Sequence, residues 1–482
     1  YGANGFALYG LPVPRKGKVL GLLGRNGIGK TTAIRLLAGK EEMNLGKEAS
    51  QEEIKQYLQG SELLRWFENN KKIAYKPQNL SSIAKEIKVR ELLEQRGKQE
   101  KINKLAEELN IIHILDNKLN QLSGGELQRV AIAAASIDDV DVYFFDEPLA
   151  YLDIAERLRV SEFILKLAEK STIIVVEHDL LVLDFLTDYL NIFYGQQGAF
   201  GLVSGLKSSK YGVNSYLQGF LKEENLRIRN KALNFNFNKN KPTAGQVVGK
   251  WDNFSCEKGN FKLDVNKGEI RENHVIGILG RNGTGKTTFV NELAAHLSNK
   301  KVSYKKQYLF TEQEEKVRDI IRNEKINKKL CQKFNLTAIL DNSLKELSGG
   351  ELQRLAIARC LAQDADIYLI DEPSAYLDVE ERINIAKIIK DVMMEKEKTA
   401  FVVDHDLLLI SYLADNLMIF SGEPGKHGQA GEIMDFEKGI SRLLEDLDIT
   451  LRKEPETGRP RINKPGSIKD REQKAKGELA VL

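Results

Sequence analysis

One block dominates the sequence: Gly-Leu-Leu-Gly-Arg-Asn-Gly-Ile-Gly-Lys-Thr-Thr, ending at Thr32, returns almost unchanged as Gly-Ile-Leu-Gly-Arg-Asn-Gly-Thr-Gly-Lys-Thr-Thr, ending at Thr288. Each copy follows a short apolar run (Val19–Leu23, Val275–Leu279) and precedes a helical stretch, the context that a phosphate-cradling loop needs. Two further blocks repeat in the same order. Leu-Ser-Gly-Gly-Glu-Leu-Gln-Arg occurs at 122–129 and 347–354, and Asp-Glu-Pro-x-Ala-Tyr-Leu-Asp starts at Asp146 and Asp371. The chain is therefore two homologous halves, and the expected fold class is α/β: two tandem P-loop domains with parallel sheets, arranged head to tail and joined by hinge segments.

The spacing of the repeats locates an insertion. Lys30 and Lys286 lie 256 positions apart, whereas Ser123/Ser348 and Asp146/Asp371 lie 225 apart, so about 31 extra residues separate loop from signature in the first half. The stretch near 46–70 is periodic in a way that predicts two short helices broken at Gly60. A helix-loop-helix with a partner and a plain surface decoration are both compatible with that pattern. The expected organisation is a first nucleotide-binding domain over 1–205, a hinge over 206–245 ending in Lys-Pro-Thr-Ala-Gly, a second domain over 246–440, and a second hinge or C-terminal segment over 441–482.

Charge is distributed unevenly. Residues 206–232 carry +4 and 451–476 carry +5 in a chain whose total is only +3, so the connecting segments are basic and the remainder is acidic. Such a pattern suits a polyanionic partner, although solvated linkers share it. No run of about eighteen apolar residues exists to span a bilayer. Cys256, Cys331 and Cys360 have neither metal-ligand nor disulfide-framework spacing, which fits a reducing cytoplasm. The start at Tyr1, without Met or a charged-then-apolar leader, speaks against a secretory signal and is compatible with an N-terminal truncation.

The motif chemistry is that of ATP with Mg²⁺. Gly24, Asn26, Gly27 and Gly29, with Gly280, Asn282, Gly283 and Gly285, let backbone N–H groups wrap phosphates. Lys30 and Lys286 reach the β- and γ-phosphates, flanked by Thr32 and Thr288. Thr31 and Thr287 suit Mg²⁺, as do Asp146 and Asp371 at the ends of apolar strands. Glu147 and Glu372 can polarise the attacking water as general bases. Strands Thr172–Val176 and Thr399–Val403 lead to His178 and His405, each able to reach a γ-phosphate. Gln78 (Tyr-Lys-Pro-Gln) and Gln307 (Tyr-Lys-Lys-Gln) can contact Mg²⁺ and water through a side-chain amide. Ser123, Gly124, Gly125 and Glu126, with Ser348, Gly349, Gly350 and Glu351, form a second anion site at a helix N-terminus. For adenine stacking the candidates are Tyr1, Phe6 or Tyr9 in the first half and Phe254 or Phe261 in the second, with core packing as the alternative fate.

These motifs resemble, in order and in both halves, those of the ABC ATPase superfamily. That resemblance implies two composite sites within a monomer, the signature of each half closing over ATP held by the other. Tyr-Leu-Asp after both strand-end acids, the insertion in the first half alone, Tyr211-Gly-Val-Asn-Ser-Tyr-Leu with Glu224–Arg229, and Gly458-Arg-Pro-Arg-Ile-Asn-Lys-Pro-Gly-Ser467 with Lys469–Lys474 are similar to the E subfamily, the ribosome-splitting and recycling factors also called the RNase L inhibitor family. The resemblance implies splitting of ribosomes after termination with release factor bound, retention on the small subunit and its RNA, a cytoplasmic location, and no membrane. Arg227, Arg229, Arg459, Arg461 and Lys464 are the candidate RNA contacts, packing being the alternative for each. The family's N-terminal iron–sulfur domain has no counterpart in these residues. Arg25 and Arg281 replace the commoner loop Pro, and Leu149 replaces the Ser that Ser374 retains. The abundance of Lys and Asn suggests an archaeal lineage. A soluble twin ATPase subunit powering a separate membrane transporter is the competing reading. The F-subfamily translation factors would need a long charged helical linker, which 206–245 does not resemble.

Overall fold

The structure is a computed structural model and describes residues 5–481 except 48, 81–82, 84, 234, 236–244, 298–299 and 308–313. The chain divides into two compact units, Tyr1–Asn234 and Phe235–Leu482.

In the first unit the sequence places short runs of branched and aromatic residues between helical stretches, and these runs become parallel strands buried on both faces. Ile73–Lys76, Val142–Asp146, Thr172–Val176, Val19–Gly24 and Tyr189–Gln196 lie side by side in that order. Phe200–Val203 joins antiparallel to Tyr189–Gln196, and Ala7–Tyr9 pairs parallel with it. The second unit repeats the plan with Val302–Lys305, Ile367–Asp371, Thr399–Val403, Val275–Gly280, Asn416–Glu423, His427–Asp435, Phe261–Val265 and Phe254–Lys258. Both are α/β units with a central parallel sheet, as the alternating pattern predicts.

This strand order assembles the site. Four motif-bearing strands are consecutive and parallel, so their carboxyl ends share one edge of the sheet. Register keeps them level: Lys76 pairs with Phe145, Asp146 with Val176, and Val176 with Leu22. Ligands in open α/β sheets bind at such an edge.

The inserted stretch forms two helices, Gln51–Leu58 and Glu62–Glu68, each capped by a serine (Ser50, Ser61), with Gly60 at φ +78° between them. Trp66 anchors the pair: its Nε1 donates to the Leu37 carbonyl at 3.1 Å, its ring meets Phe144 edge-on, and Lys71 lies over its face.

Residues 207–227 form the strand Lys207–Ser208 on the main sheet, the helix Ser209–Gln218, and a two-strand hairpin of Phe220–Leu221 with Leu226–Arg227. Lys207, fully buried, is held by Glu223 at 2.6 Å and Glu224 at 3.0 Å. At the other end of the chain, Leu451–Lys453, Pro460–Ile462 and Ala480–Val481 make a three-stranded sheet with the helix Ile468–Lys476. Beside the buried Leu451 and Ile462 its interior holds a polar network: Asn463 donates to Thr450 and Gln473, Thr450 to Asp470, and Arg452 to Asn463. Residues 241–244 of the expected domain boundary lie outside the described residues.

Candidate functional site

The P-loops are built on glycine conformations. Gly29 and Gly285 sit at φ +96° and +94° as N-caps of the helices Lys30–Leu37 and Lys286–His296, a region that L side chains avoid. Gly27 and Gly283 are left-handed as well. Lys30 Nζ donates to the Gly24 and Arg25 carbonyls at 2.8 and 2.7 Å, and Lys286 does the same to Gly280 and Arg281 at 2.9 and 2.8 Å. Both ammonium groups are thus held within their loops.

Asp146 and Asp371 are completely buried at their strand ends. Neither Asp146 oxygen has a donor in hydrogen-bonding geometry, and Asp371 Oδ1 also lacks one, while Asp371 Oδ2 accepts from Thr287 Oγ1 at 2.9 Å. Buried anionic oxygens left this way are costly without a cation. The pair Thr–Asp in each unit therefore fits Mg²⁺ chemically, with hard oxygen donors only. Burial, then the neighbouring Glu147, raises the Asp146 carboxyl to about 6, and burial raises Asp371 in the same direction.

Glu147 and Glu372 follow directly, and each adopts a left-handed backbone, φ +47° and +48°. Such a conformation costs about 1–3 kcal/mol and collects at active sites. Gln78 Nε2 donates to Glu147 Oε1 at 2.7 Å, and Gln307 Nε2 to Glu372 Oε1 at 2.7 Å. His178 Nε2 lies 3.5 Å from Glu147 Oε1, and His405 Nε2 3.7 Å from Glu372 Oε1. Acid, amide and imidazole are therefore brought together in each unit.

The two acids differ electrostatically. Burial pushes Glu147 upward, but His178, Lys30 and Gln78 together outweigh it and carry the carboxyl down to about 2. Glu372 is raised to about 7 by burial and by the Asp371 and Asp404 carboxylates. A general base must be ionised. The Glu147→Gln variant, left with Glu372, is therefore expected to show a kcat/KM for ATP several-fold higher at about pH 8 than at about pH 6, whereas that of Glu372→Gln stays flat over that range. Parallel pH–rate profiles of the two variants check this; superimposable curves would contradict it.

The signature serines are helix N-caps. Ser123 and Ser348 each close a capping box, donating to the carboxylate of Glu126 or Glu351 at 2.7 Å. That bond holds the serine at the helix start and occupies the glutamate. Glycine is needed next because Tyr151 and Tyr376, left-handed themselves, lie over it: a Cβ on Gly349 would come within 2.9 Å of the Tyr376 ring. Arg157 and Arg382 tie the following loop to the histidine loop, each donating to a main-chain carbonyl (Leu152, Leu377) and to Asp179 at 2.6 Å or Asp406 at 2.9 Å. Leu149 N donates to Glu177, where Ser374 meets the shorter Asp404 through both N and Oγ. The longer acid thus makes the link that the missing hydroxyl would otherwise share.

Among the aromatic candidates, Phe6 and Phe261 take equivalent places, their rings packed against Gly29 and Gly285 of the loops. Tyr9 is exposed, Phe254 stacks on His296, and Tyr1 lies outside the described residues. Two expected RNA contacts need correction. Arg459 is fully buried, and Arg229 turns inward to donate to the Tyr216 and Leu217 carbonyls, so both pack within the protein. Arg227 and Lys464 are exposed, and Arg461 is half-buried.

Sequence reasoning passed over Lys76, Lys305, Gln128 and Gln353. Buried Lys76 donates to the Asp146 and Glu147 carbonyls at 2.8 and 3.0 Å, and Lys305 to Asp371 and Glu372 at 2.6 and 3.2 Å. Gln128 and Gln353, from the signature helices, donate to the same glutamate carbonyls. The repeat of Tyr-Lys before Gln78 and Gln307 was the available signal.

A phosphate loop, a strand-end Asp-Glu pair, a glutamine, a histidine and a capped signature helix, present in each of two units, define a twin ABC-type ATPase. The ABC transporter family model matches residues 14–150 and 263–375. The chain is 41% identical to ABC transporter E family member 1 of Arabidopsis thaliana, covering all of this chain and 85% of that protein. Among solved structures it is similar to the archaeal ribosome recycling factor aABCE1, crystallised with the archaeal ribosomal stalk protein aP1 (TM-score 0.94, 42% identity, 100% of this chain and 98% of that one). A model of ribosome-bound archaeal Pelota and ABCE1 matches equally well (TM-score 0.94, 43% identity, 100% and 86%). The chain belongs to the E family of ABC proteins, the ABCE1 or RNase L inhibitor family. Among the described residues no helix is long and apolar enough to cross a membrane.

Proposed function

We propose that this chain is an ATP-driven ribosome recycling factor: it separates ribosomal subunits after termination, together with a release factor, and stays on the small subunit, in the cytoplasm. The observation that carries the reading is the reach of the similarity. It runs through the whole chain, including 207–227 and 451–476, which ATP hydrolysis alone does not require.

Within this reading, ATP on the P-loop of one unit is closed over by the signature of the other, in an intramolecular pairing. Lys30, Thr31, Gln78, Asp146, Glu147 and His178 work with Ser348, Gly349 and Gly350. Lys286, Thr287, Gln307, Asp371, Glu372 and His405 work with Ser123, Gly124 and Gly125. Thr31 with Asp146, and Thr287 with Asp371, would hold Mg²⁺, which would supply charge neutralisation at the phosphates. Glu147 or Glu372 accepts the proton of the attacking water, the glutamine amide fixes that carboxylate, and the histidine stands within reach of it. Closure on ATP and release after hydrolysis supply the mechanical cycle.

The direct test is gradient analysis of whole ribosomes incubated with this chain, release factor and ATP. Conversion to free subunits is expected; ribosomes left intact while ATP is hydrolysed would count against the reading. Neutralising the exposed cations Arg227 and Lys464 to Gln is expected to weaken small-subunit binding. It should also flatten the slope of log K against log salt by about 1–2, roughly one per lost phosphate contact. An unchanged slope would remove these two side chains from the RNA interface.

A further inference from the structure

Two buried lysines lie at the base of the site and bond main-chain carbonyls there. Lys76 and Lys305 are 1% and 3% exposed. Burying an ammonium is expensive, and a methionine of similar length would fill the same space without that cost. What the ammonium does instead is donate to two successive carbonyls, those of the strand-end Asp and the Glu that follows it.

The need for those donors lies in the backbone. Glu147 and Glu372 leave the strand in a left-handed turn, after their N–H groups have bonded to the Val176 and Val403 carbonyls. The turn leaves two carbonyls to be satisfied beside a buried acid. Lys76 and Lys305 bond both, and the Gln128 and Gln353 amides add a further bond to the second. A carboxylate on a left-handed residue is aimed by its backbone, so fixing the carbonyls fixes the direction of the base toward Gln78 or Gln307. The arrangement occurs independently in both units, although the residue between lysine and glutamine differs, Pro77 in one and Lys306 in the other.

We propose that Lys76 and Lys305 are positioning residues for ATP hydrolysis, each clamping with Gln128 or Gln353 the left-handed turn that aims the general base. The proposal rests on the assignment of Glu147 and Glu372 as bases. It assigns the lysines no contact with nucleotide, which separates their effect from that of Lys30 and Lys286. A mis-aimed base slows the chemical step and leaves ground-state binding alone.

The experiment compares Lys76→Met/Lys305→Met, Gln128→Met/Gln353→Met and Glu147→Gln/Glu372→Gln in the full chain. Steady-state kcat and KM for ATP, equilibrium binding of a fluorescent ATP analogue, and Tm are measured for each. For the lysine pair, kcat is expected to fall at least about 10-fold, with KM and analogue affinity within about threefold and Tm within a few degrees of the parent. Wild-type kcat in the folded lysine variant would overturn the proposal, as would analogue affinity falling in step with kcat. Should the lysine variant fail to fold, the neutral glutamine pair decides: a selective loss of kcat supports the clamp, and unchanged kcat overturns it. If the glutamate pair itself hydrolyses ATP normally, the base assignment fails, a result distinct from failure of the clamp.

Discussion

Replacing Glu147 and Glu372 together by Gln is expected to stop ATP turnover while leaving ATP binding in place. The substitution keeps size and hydrogen-bonding reach but removes the proton acceptor, and a positioned base is worth about 10²–10⁴ in rate. Each acid already sits within 2.7 Å of a glutamine amide and under 4 Å from a histidine, so the site is organised around the carboxylate. The phosphate-binding backbone and Lys30 and Lys286 are untouched by the change. Phosphate release should fall at least about 100-fold, and analogue binding should stay within a fewfold of the parent. Retained hydrolysis would place the base elsewhere.

The second large effect is expected at glycines outside every motif. Gly201 and Gly428 lie on the antiparallel strands beside the P-loops, and a Cβ on either would sit well inside 3.0 Å of a loop carbonyl oxygen, Ile28 or Thr284. Phe6 and Phe261 close the other side, with ring carbons 3.3 and 2.9 Å from the same hypothetical methyl. The methyl has no room unless the loop moves, and overpacking of this kind costs about 1–3 kcal/mol. Gly201→Ala with Gly428→Ala should lower Tm and weaken analogue binding at least about 10-fold, because one loop geometry serves both packing and phosphate recognition. Gly205→Ala is the control: its Cβ would meet nothing nearer than 3.6 Å, and it should leave both readouts unchanged. Normal binding in the double variant would show that the loops adapt without loss.

What was legible follows from what chemistry demands. Phosphate loops, strand-end acids and signature serines need particular residues at particular spacings, so two copies in order disclosed the α/β class before any coordinates. The inserted helices were visible because Gly60 interrupts a helical period, whereas the serine caps Ser50 and Ser61 emerged only with the structure. Gly201 and Gly428 were not, since a glycine chosen for close approach has no neighbours that betray it. Lys76 and Lys305 were hidden differently: a lysine in a polar Tyr-Lys run reads as exposed, and only the strand order shows it beneath the acids. The basic segments looked like connectors because buried polar groups share their small interiors with a few apolar side chains. Lys207 with Glu223 and Glu224, and Asn463 with Thr450 and Gln473, leave only the short apolar pattern of Val213, Tyr216 and Leu217 and the isolated Leu451 and Ile462 to read. For the same reason Arg229 and Arg459 were indistinguishable in sequence from the exposed Arg227.

Co-sedimentation of this chain with purified small ribosomal subunits, with and without a non-hydrolysable ATP analogue and across a salt series, tests the central claim most directly. Binding that requires the analogue, weakens as salt rises, and falls further when Arg227 and Lys464 are neutralised is the predicted result. No binding in any nucleotide state, by a chain that still hydrolyses ATP, would contradict it.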